Sequence, residues 1–371
     1  MIFKLFFLCY FLTGLRCAIL PNEPESEIVF LNVIFRHGAR TPYEFYPTDP
    51  YKNETFFPFG LGALTNEGKK GEYLLGKYIK EHYGEFLGDL YLVNDFYVRS
   101  TDSPRTRMSA QLVLAGLFPP VNVQIWNPNL KWQPALVDYK SDADEDLFYP
   151  YNNCPYYEEL VKEQANNREL LKKFVGPFAD VYEYVEKHSG MKLKTPQDMG
   201  NIYFTLKCES ELGLKLPEWT KKVFPDKMEE AVGVLYKYDY YNPEAKKINS
   251  GYMLKKIIDD FDGKIKNDII PKERKASFYS GHDTTLGSML NSLGLEENYV
   301  PPYGSALSIE LRKRNCEFFV KLRFRKGSAC NPIDLVIPGC ETLCPIEKFK
   351  QLTKNIMPTV DMKTACKVNN A

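Results

Sequence analysis

The feature that most constrains the fold is a continuous apolar segment, EIVFLNVIF (27–35), which stops at a cluster of charged residues. An unbroken run of this kind, rich in β-branched residues, is typical of a strand buried on both faces, as in α/β sheets. The next residues, RHGARTP (36–42), place one of only four histidines between two arginines. Because α/β proteins bind ligands in the crevice at the carboxyl ends of their strands, this junction indicates a site.

Two later segments repeat this arrangement of a strand, a polar junction and a helix. DFYVRS (95–100) predicts a strand. The helix that follows is predicted to begin directly after Ser103, which is a candidate N-cap. ASFYSG (276–281) predicts another strand, with His282 and Asp283 just beyond its end and the helix TTLGSMLNSLG behind them. The alternation of strands and helices favours an α/β domain.

Other segments complete the predicted order of elements. Further strands are predicted for VNVQIW (121–126) and, as a pair around a turn at 313–315, for ALSIELRKRNCEFFVKLRFRK. Residues 64–87 show the three- and four-residue spacing of a helix. Residues 41–63 contain proline, glycine and aromatic residues without periodicity and predict a long ordered loop, which in a compact domain usually serves binding.

The middle of the chain differs in character from its flanks. Residues 151–239 are rich in Lys, Glu and Tyr, show helical patterns and lack a clear strand. We therefore interpret 151–239 as a smaller, mostly helical cap. It is inserted into one α/β catalytic domain that is formed by residues 19–150 and 240–371. A chain of 371 residues is long enough for two such coupled units.

The first 18 residues, MIFKLFFLCYFLTGLRCA, are typical of a secretory signal peptide. An early lysine precedes an apolar stretch that ends in small residues and is too short to span a bilayer comfortably. The polar C-terminus shows no apolar tail, so we expect no membrane anchor. The sequence predicts a secreted or soluble lysosomal protein, with Asn53 of an NET triplet as a surface glycosylation site.

The charge balance restricts the kind of partner. Lys+Arg and Asp+Glu number 48 each, so the net charge is zero, and loss of Lys4 and Arg16 with the signal would make it −2. Domains that bind nucleic acid normally carry a basic excess, so the sequence argues against that class. It leaves open whether the chain is a monomer or a homodimer.

Seven of the nine cysteines lie beyond the signal peptide, where an oxidising compartment favours disulfides. Cys340 and Cys344 are four residues apart, close enough for a small loop-closing bridge. A zinc site would need two more ligands at compatible spacing, and none are nearby, so we expect no bound metal. Because seven is odd, at least one thiol is free or pairs between chains.

The three junctions together predict an anion site. They carry three arginines, two histidines and one acid: Arg36, His37, Arg40, Arg99, His282 and Asp283. Three guanidinium groups in one crevice repel each other unless a strongly anionic group lies between them. Their planar forks suit the oxygens of phosphate. We therefore predict that the three arginines line a phosphate-binding crevice.

The histidine between the arginines is the predicted nucleophile. Positive neighbours lower the pKa of His37, and a neutral imidazole can form a covalent intermediate. Attack on phosphorus would give a phosphohistidine, with Asp283 as the general acid for the leaving oxygen. Because an aspartic acid donates only while protonated, the arrangement predicts metal-free hydrolysis of phosphate monoesters with an acidic pH optimum.

These motifs resemble those of the histidine acid phosphatases. RHGARTP matches the RHGxRxP signature of that family, and SGHDTT resembles its downstream HD motif. VRSTDSPRTRMSA resembles the segment that supplies a third phosphate-binding arginine. The similarity runs from about residue 27 to the C-terminus. In character the chain is most similar to the secreted and lysosomal branch, which includes prostatic, lysosomal and insect venom acid phosphatases.

The resemblance implies a role for each site residue and a fold. His37 would be the nucleophile and Asp283 the proton donor. The phosphate would be bound by Arg36, Arg40, Arg99 and His282. The implied fold is a three-layer α/β sandwich of the phosphoglycerate-mutase type. It has a mixed, mostly parallel sheet and a smaller helical cap domain over the site.

The resemblance also implies disulfides and leaves one of them open. Cys208 lies at a family-like position, but its usual partner would fall near YGSALS, where this chain has Ala306. Its partner is then Cys316 or Cys330, or those two pair with each other. Two bridges are implied directly: Cys154 with Cys366, and Cys340 with Cys344.

The leading hypothesis is a secreted acid phosphatase of broad phosphomonoester specificity that needs no cofactor. A runner-up from a different class is a catalytically silent protein that binds a small ligand in the same pocket, since function depends on sites rather than folds. Loss of His37, Asp283 or an arginine would favour this alternative, and all are present. A phytase is disfavoured because the chain has no basic excess for binding a polyphosphate.

Overall fold

The computed structural model describes residues 26–148, 153–295, 298–328 and 331–367. The predicted signal peptide (1–18) and Cys330 lie outside the described residues. Within them the strands are β1 (Glu27–Arg36), β2 (Phe96–Ser100), β3 (Asp138–Tyr139), β4 (Ala276–Gly281), β5 (Ala306–Arg314), β6 (Glu317–Arg325), β7 (Ile333–Leu335) and β8 (Cys344–Pro345).

The α-helices lie between and after these strands. They are α1 (Asn66–Leu87), α2 (Pro104–Leu117), α3 (Pro155–Asn166), α4 (Arg168–Phe174), α5 (Ala179–Ser189), α6 (Pro196–Glu211), α7 (Asp226–Gly233), α8 (Leu235–Asp239), α9 (Pro243–Lys246), α10 (Tyr252–Lys266), α11 (Asp283–Ser292), α12 (Ile346–Thr353) and α13 (Met362–Ala365). A π-helical segment, Lys247–Gly251, joins α9 to α10. In the described part of the chain, no helix has the length and apolar character needed to cross a membrane.

One mixed sheet has the strand order β3-β2-β4-β1-β5-β6-β7, and β8 pairs with β6. The first four strands in this order run parallel. From β1 onward the pairings are antiparallel. The register between β1 and β4 sets Phe35 beside Ser280 and Arg36 beside Gly281, so these two central strands end at the same level. Their polar continuations are therefore neighbours at the carboxyl edge of the sheet.

Side chains of β1 alternate between two separate cores. Phe30 and Ile34 pack into a core shared with α10 and α11. On the other face, Leu31, Val33 and Phe35 pack into a core shared with α1 and α2. Both faces of the strand are buried, which explains its unbroken apolar sequence. The predicted three-layer α/β sandwich is confirmed.

Residues 153–246 are helical apart from their connections. Helices α5 to α8 enclose a third hydrophobic core, and Tyr46 from the 41–63 loop packs into it. The loop itself contains no regular element, as predicted. The proposed division into a catalytic domain and a cap, with boundaries at 151 and 239, stays a prediction.

The strand predicted at 121–126 is wrong. These residues contain a short 3₁₀ turn, Asn122–Gln124, in which the Val123 side chain is 93% exposed. The strand beside β2 is β3 instead. An alternating apolar pattern favours a strand only where a sheet edge and a core are there to receive it, and this segment reaches neither.

Two of the expected disulfides are present. Cys154 is bonded to Cys366, which ties the start of α3 to the end of α13, and Cys340 is bonded to Cys344. The candidate bridges of Cys208 and Cys316 are wrong, because both are free thiols. Cys208 is buried among polar groups of the site described below, whereas Cys316 is exposed at the turn between β5 and β6.

Candidate active site

The junctions after β1 and β4 meet in one cleft of about 910 Å³. The backbone N–H of His37 donates to the carbonyl oxygen of Gly281 across 3.0 Å, which joins the two strand ends directly. On the other side of β4, Ser100 at the end of β2 lies opposite Ser280. All three predicted junctions therefore open at the same edge of the sheet.

A close contact between two backbones fixes the loop after β1. A Cβ atom on Gly38 would lie 2.4 Å from the carbonyl oxygen of Gly68 in α1. A Cβ atom on Gly68 would lie 2.1 Å from the carbonyl oxygen of Ala39. Only glycine permits this approach at both positions. The loop that carries His37 and Arg40 is therefore held against the first turn of α1.

The ring of His37 is held in one tautomer. Nδ1 lies 2.8 Å from the carbonyl oxygen of Gly38, which only accepts, so Nδ1 carries the proton. Nε2 keeps its lone pair and accepts a hydrogen bond from Nε of Arg105 across 3.1 Å. Burial and the nearby charge of Arg105 lower the pKa of His37 well below its usual value. The result is a neutral imidazole whose basic nitrogen faces the cleft.

Arg36 and Arg40 both line the cleft, as predicted. Nη1 of Arg36 donates to the carbonyl oxygen of Pro301 across 2.6 Å, and Nη2 lies 3.2 Å from Oδ2 of Asp283. Arg40 donates from Nη1 to the carbonyl oxygen of Thr41 across 2.9 Å. Each guanidinium is therefore oriented by backbone carbonyls and keeps further N–H groups for a ligand.

Arg99 does not line the cleft. Its position therefore does not support the predicted role in phosphate binding. Its Nη2 lies 2.9 Å from Oε1 of Glu145 and 3.2 Å from Oδ1 of Asp146. Arg99 stands inside β2, before the strand ends. Side chains inside a strand project from the faces of the sheet rather than past its end. The Arg99 guanidinium therefore forms ion pairs with Glu145 and Asp146.

Arg105 supplies the third guanidinium instead. It lies in the first turn of α2, beyond the end of β2, and lines the cleft. Besides its contact with His37, its Nη2 lies 3.4 Å from Nδ1 of His282. Burial, with Arg40 close by, lowers the pKa of Arg105 to about 10, so it remains charged at acidic and neutral pH. The sequence carried a signal for it, because a ligand crevice lies past the strand ends.

A chain of hydroxyl groups orients His282. Its Nε2 lies 3.1 Å from Oγ1 of Thr101, which is 2.7 Å from Oγ1 of Thr106. Thr106 in turn donates to the carbonyl oxygen of Ser103 across 2.8 Å. Burial and the charge of Arg105 lower the pKa of His282 to about 3. The second histidine is thus also neutral and is held with its Nδ1 edge toward Arg105.

Asp283 is the first residue of α11 and lines the cleft beside Arg36. Its Oδ1 accepts a hydrogen bond from the backbone N–H of Thr284 across 3.1 Å. Burial alone would raise the pKa of Asp283, but Arg36 and His282 outweigh burial and lower it below its usual value. In the cleft without substrate, Asp283 is therefore a carboxylate paired with Arg36.

The other residues that line the cleft are apolar, polar and acidic. Aromatic and aliphatic side chains there include Tyr43, Phe59, Leu61 and Phe204, and the acidic ones are Glu44, Asp102, Asp142 and Glu145. Positive charge is concentrated at the floor, where the three arginines lie. In the described ranges, no three histidine, cysteine or acidic side chains are grouped so that they could hold a metal ion.

Comparisons with known proteins find similar sequences over most of the chain. Residues 27–325 match the family model of the histidine phosphatase superfamily, branch 2. The venom acid phosphatase of Apis mellifera is 36% identical over 90% of this chain and 87% of its own. The prostatic acid phosphatase of Homo sapiens is 35% identical over 93% and 89%. The lysosomal acid phosphatase of Rattus norvegicus is 33% identical over 97% and 85%.

Solved structures show the same fold at lower sequence identity. Hafnia alvei phytase in complex with tartrate superposes with a TM-score of 0.68 at 16% identity, covering 92% of this chain and 99% of the phytase. A phytase from Citrobacter braakii superposes with a TM-score of 0.67 at 18% identity, over 92% and 100%. At this level of identity the likeness supports the architecture alone.

Proposed function

We propose a reaction for this chain, which belongs to branch 2 of the histidine phosphatase superfamily and is an acid phosphatase. It hydrolyses phosphate monoesters through a covalent phosphohistidine on His37, without a metal ion. The observation that carries this proposal is the neutral His37, whose Nε2 faces a cleft floored by three guanidinium groups. These groups supply the positive charge that stabilises the equatorial oxygens of the transferring phosphoryl group.

In the first step the substrate phosphate binds between Arg36, Arg40 and Arg105. A phosphate oxygen takes over the N–H that Arg105 donates to His37, which frees the lone pair of Nε2. Nε2 then attacks phosphorus, a P–N bond forms and the ester P–O bond breaks. The Nδ1–H group stays bonded to the carbonyl oxygen of Gly38, so positive charge that develops on the imidazole is stabilised.

The leaving oxygen needs a proton, and Asp283 is positioned to give it. Its pKa is low while it pairs with Arg36. A bound phosphate draws the hydrogen bonds of Arg36 to itself and adds negative charge beside the carboxylate, and both effects raise the pKa of Asp283. Substrate binding therefore turns a carboxylate into an acid, most completely at acidic pH.

In the second step water attacks the phosphohistidine. Asp283, now deprotonated, accepts a proton from this water while the P–N bond breaks. Inorganic phosphate leaves, Nε2 regains its lone pair, and Asp283 releases the proton to solvent as its pair with Arg36 forms again. One water is consumed, and one alcohol and one phosphate are released.

The walls of the cleft favour monophosphates with uncharged or aromatic leaving groups. Of the acidic side chains that line the cleft, Glu44 and Asp142 are not paired with an arginine among the described residues and repel a second phosphate group, and the aromatic side chains offer an apolar surface. We also propose that the protein acts outside the cell or in the lysosome. The exposed Asn53 on the 41–63 loop suits a glycosylated chain of this kind.

Release of p-nitrophenol from p-nitrophenyl phosphate tests the proposal. The purified protein is assayed from pH 4 to 8, with and without EDTA. We expect turnover that is greatest at acidic pH and unchanged by EDTA. Folded protein without turnover at any pH would favour the catalytically silent binding protein, and inhibition by EDTA would contradict a metal-independent reaction.

A further inference from the structure

We propose that Tyr303 and Cys208 together position two phosphate-binding arginines, Arg36 and Arg40. We call this pair the Tyr303–Cys208 clamp. Neither member touches the reacting atoms in the mechanism above, so both are positioning residues. The inference rests on the proposed function, because it assumes that Arg36 and Arg40 bind the phosphate of the substrate.

The aromatic ring of Tyr303 supports Arg36. The Cζ atom of Arg36 lies 4.1 Å from the centre of this ring, within the range of a cation–π contact. Nε of Arg36 is buried and has no hydrogen-bond partner among the described residues. The ring also lies beside the His37 imidazole, with centroids 5.6 Å apart. Tyr303 therefore covers one face of the guanidinium and holds it next to the nucleophile.

The hydroxyl group of Tyr303 is linked to Arg40 by hydrogen bonds that both groups form with one sulfur atom. It lies 3.4 Å from Sγ of Cys208 in α6, and Nη1 of Arg40 donates to the same sulfur across 3.5 Å. Burial and the neighbouring Cys208 raise the pKa of the Tyr303 hydroxyl, so it stays protonated and can donate. The sulfur thus accepts from Arg40 and shares a hydrogen bond with the Tyr303 hydroxyl, two groups that belong to different parts of the chain.

The clamp depends on a free thiol at position 208. Cys208 is fully buried and carries a free thiol. Arg36 and Arg40 repel each other in the cleft without substrate, as their like charges require. Contacts that hold both guanidinium groups in place before phosphate arrives reduce the ordering cost of binding. The clamp should therefore act on phosphate affinity more than on the chemical step.

Substitutions at both positions test the clamp. The dissociation constant of inorganic phosphate is measured by calorimetry, and KM and kcat by p-nitrophenyl phosphate assay. For Tyr303→Leu and Cys208→Ala we expect phosphate affinity to fall roughly three- to thirtyfold, from the size of cation–π contacts and charged hydrogen bonds. KM should rise in parallel, while kcat changes less. Cys208→Ser keeps an acceptor and should restore part of the affinity.

A double substitution gives a test that does not need the leucine variant to fold. Tyr303→Phe and Cys208→Ala each break the O–H···S contact. Their effects on phosphate affinity should therefore be less than additive in the double variant. Cys316→Ala, which removes an exposed thiol, is the matched control and should leave affinity unchanged.

The outcomes separate the clamp from the proposed reaction. Wild-type protein that binds phosphate but does not turn over substrate would contradict the proposed reaction. The dissociation constants of the variants would still test the clamp. Unchanged affinity in Tyr303→Leu and Cys208→Ala, or full additivity in the double variant, would overturn the clamp. A wild-type protein that binds no phosphate would overturn both.

Discussion

Arg105 donates its Nε hydrogen to Nε2 of His37 across 3.1 Å, so the lone pair of the nucleophile is occupied in the cleft without substrate. A phosphate between the two side chains has to replace this contact with its own oxygen. Arg105 thus has two roles in the proposed reaction. It keeps His37 neutral before substrate arrives, and it stabilises the phosphoryl oxygens afterwards.

Arg105, and not Arg99, lines the cleft, so alanine substitutions of these two arginines form a matched pair of variants. Arg105→Ala should lower kcat/KM about 10²- to 10³-fold, the usual effect of removing one preorganised donor to a developing negative charge. Arg99→Ala should keep kcat and KM within about twofold, because its guanidinium pairs with Glu145 and Asp146 and does not itself line the cleft. Steady-state kinetics with p-nitrophenyl phosphate measure both.

Arg99→Ala should lower the stability of the protein even though its activity is unchanged. A measured loss of stability would show that the substitution has an effect. Glu145 is almost fully buried beside Arg99 and would lose its countercharge. We expect the free energy of unfolding to fall by roughly 3–5 kcal/mol in urea titrations, as when one partner of a buried pair is removed. A large loss of phosphate affinity in Arg99→Ala, with Arg105→Ala unaffected, would show that Arg99 and not Arg105 supplies the third guanidinium.

His37→Ala should abolish covalent catalysis. We expect kcat to fall on the order of 10⁴-fold or more, because loss of a nucleophile leaves only the contribution of binding. After mixing with substrate and quenching in alkali, intact-mass spectrometry should find a phosphorylated wild-type chain and none in the variant. Phosphate on His37→Ala, or on another residue of the wild type, would rule out this nucleophile. Circular dichroism confirms that the variant folds.

Asp283→Asn should affect substrates according to their leaving groups. An alkyl phosphate needs a proton on its leaving oxygen and should lose about 10²- to 10⁴-fold in kcat, whereas p-nitrophenyl phosphate should lose much less. The alkaline limb of the kcat profile should also change, because Asp283 has to be protonated in the substrate complex to act as the general acid. Comparison of the two substrates from pH 4 to 8 measures both effects. Equal losses on both would contradict the general-acid assignment.

A buried pair of acids predicts a pH dependence of stability. Glu209 of α6 and Asp49 of the 41–63 loop are both buried. Burial, with Asp49 alongside, raises the pKa of Glu209 to about 8. Folding therefore favours the protonated form. This stabilisation is complete below the pKa of the unfolded chain, about 4.3, and is lost as the pH rises through 8.

Urea unfolding between pH 5 and 8 measures this contribution. The wild type should lose up to about 1.4 kcal/mol per pH unit relative to Glu209→Gln, which cannot take up the proton. Glu211→Gln, on the same helix but exposed, should keep the wild-type dependence. If Glu209→Gln keeps the same dependence as well, Glu209 is not the group that takes up the proton.

Much of the site follows from the sequence because it is encoded locally. The apolar run of β1 and the residues directly after it fix where His37 stands relative to the end of the strand. The same holds for His282 and Asp283 after β4. A strand end followed by a helix is a short-range pattern, so the amino-acid order alone predicts that these side chains enter one crevice. Parallel pairing of β1 with β4 brings them together.

The choice between Arg99 and Arg105 was decided only by the tertiary structure. Both lie in one short segment, and which of them faces the cleft depends on where β2 ends and on Glu145 and Asp146, distant in sequence. The free thiol of Cys208 depends in the same way on Tyr303, 95 residues further along the chain. Local sequence sets backbone pattern and residue chemistry, whereas the partners of a buried charge or thiol are set by long-range packing, which no short-range pattern records.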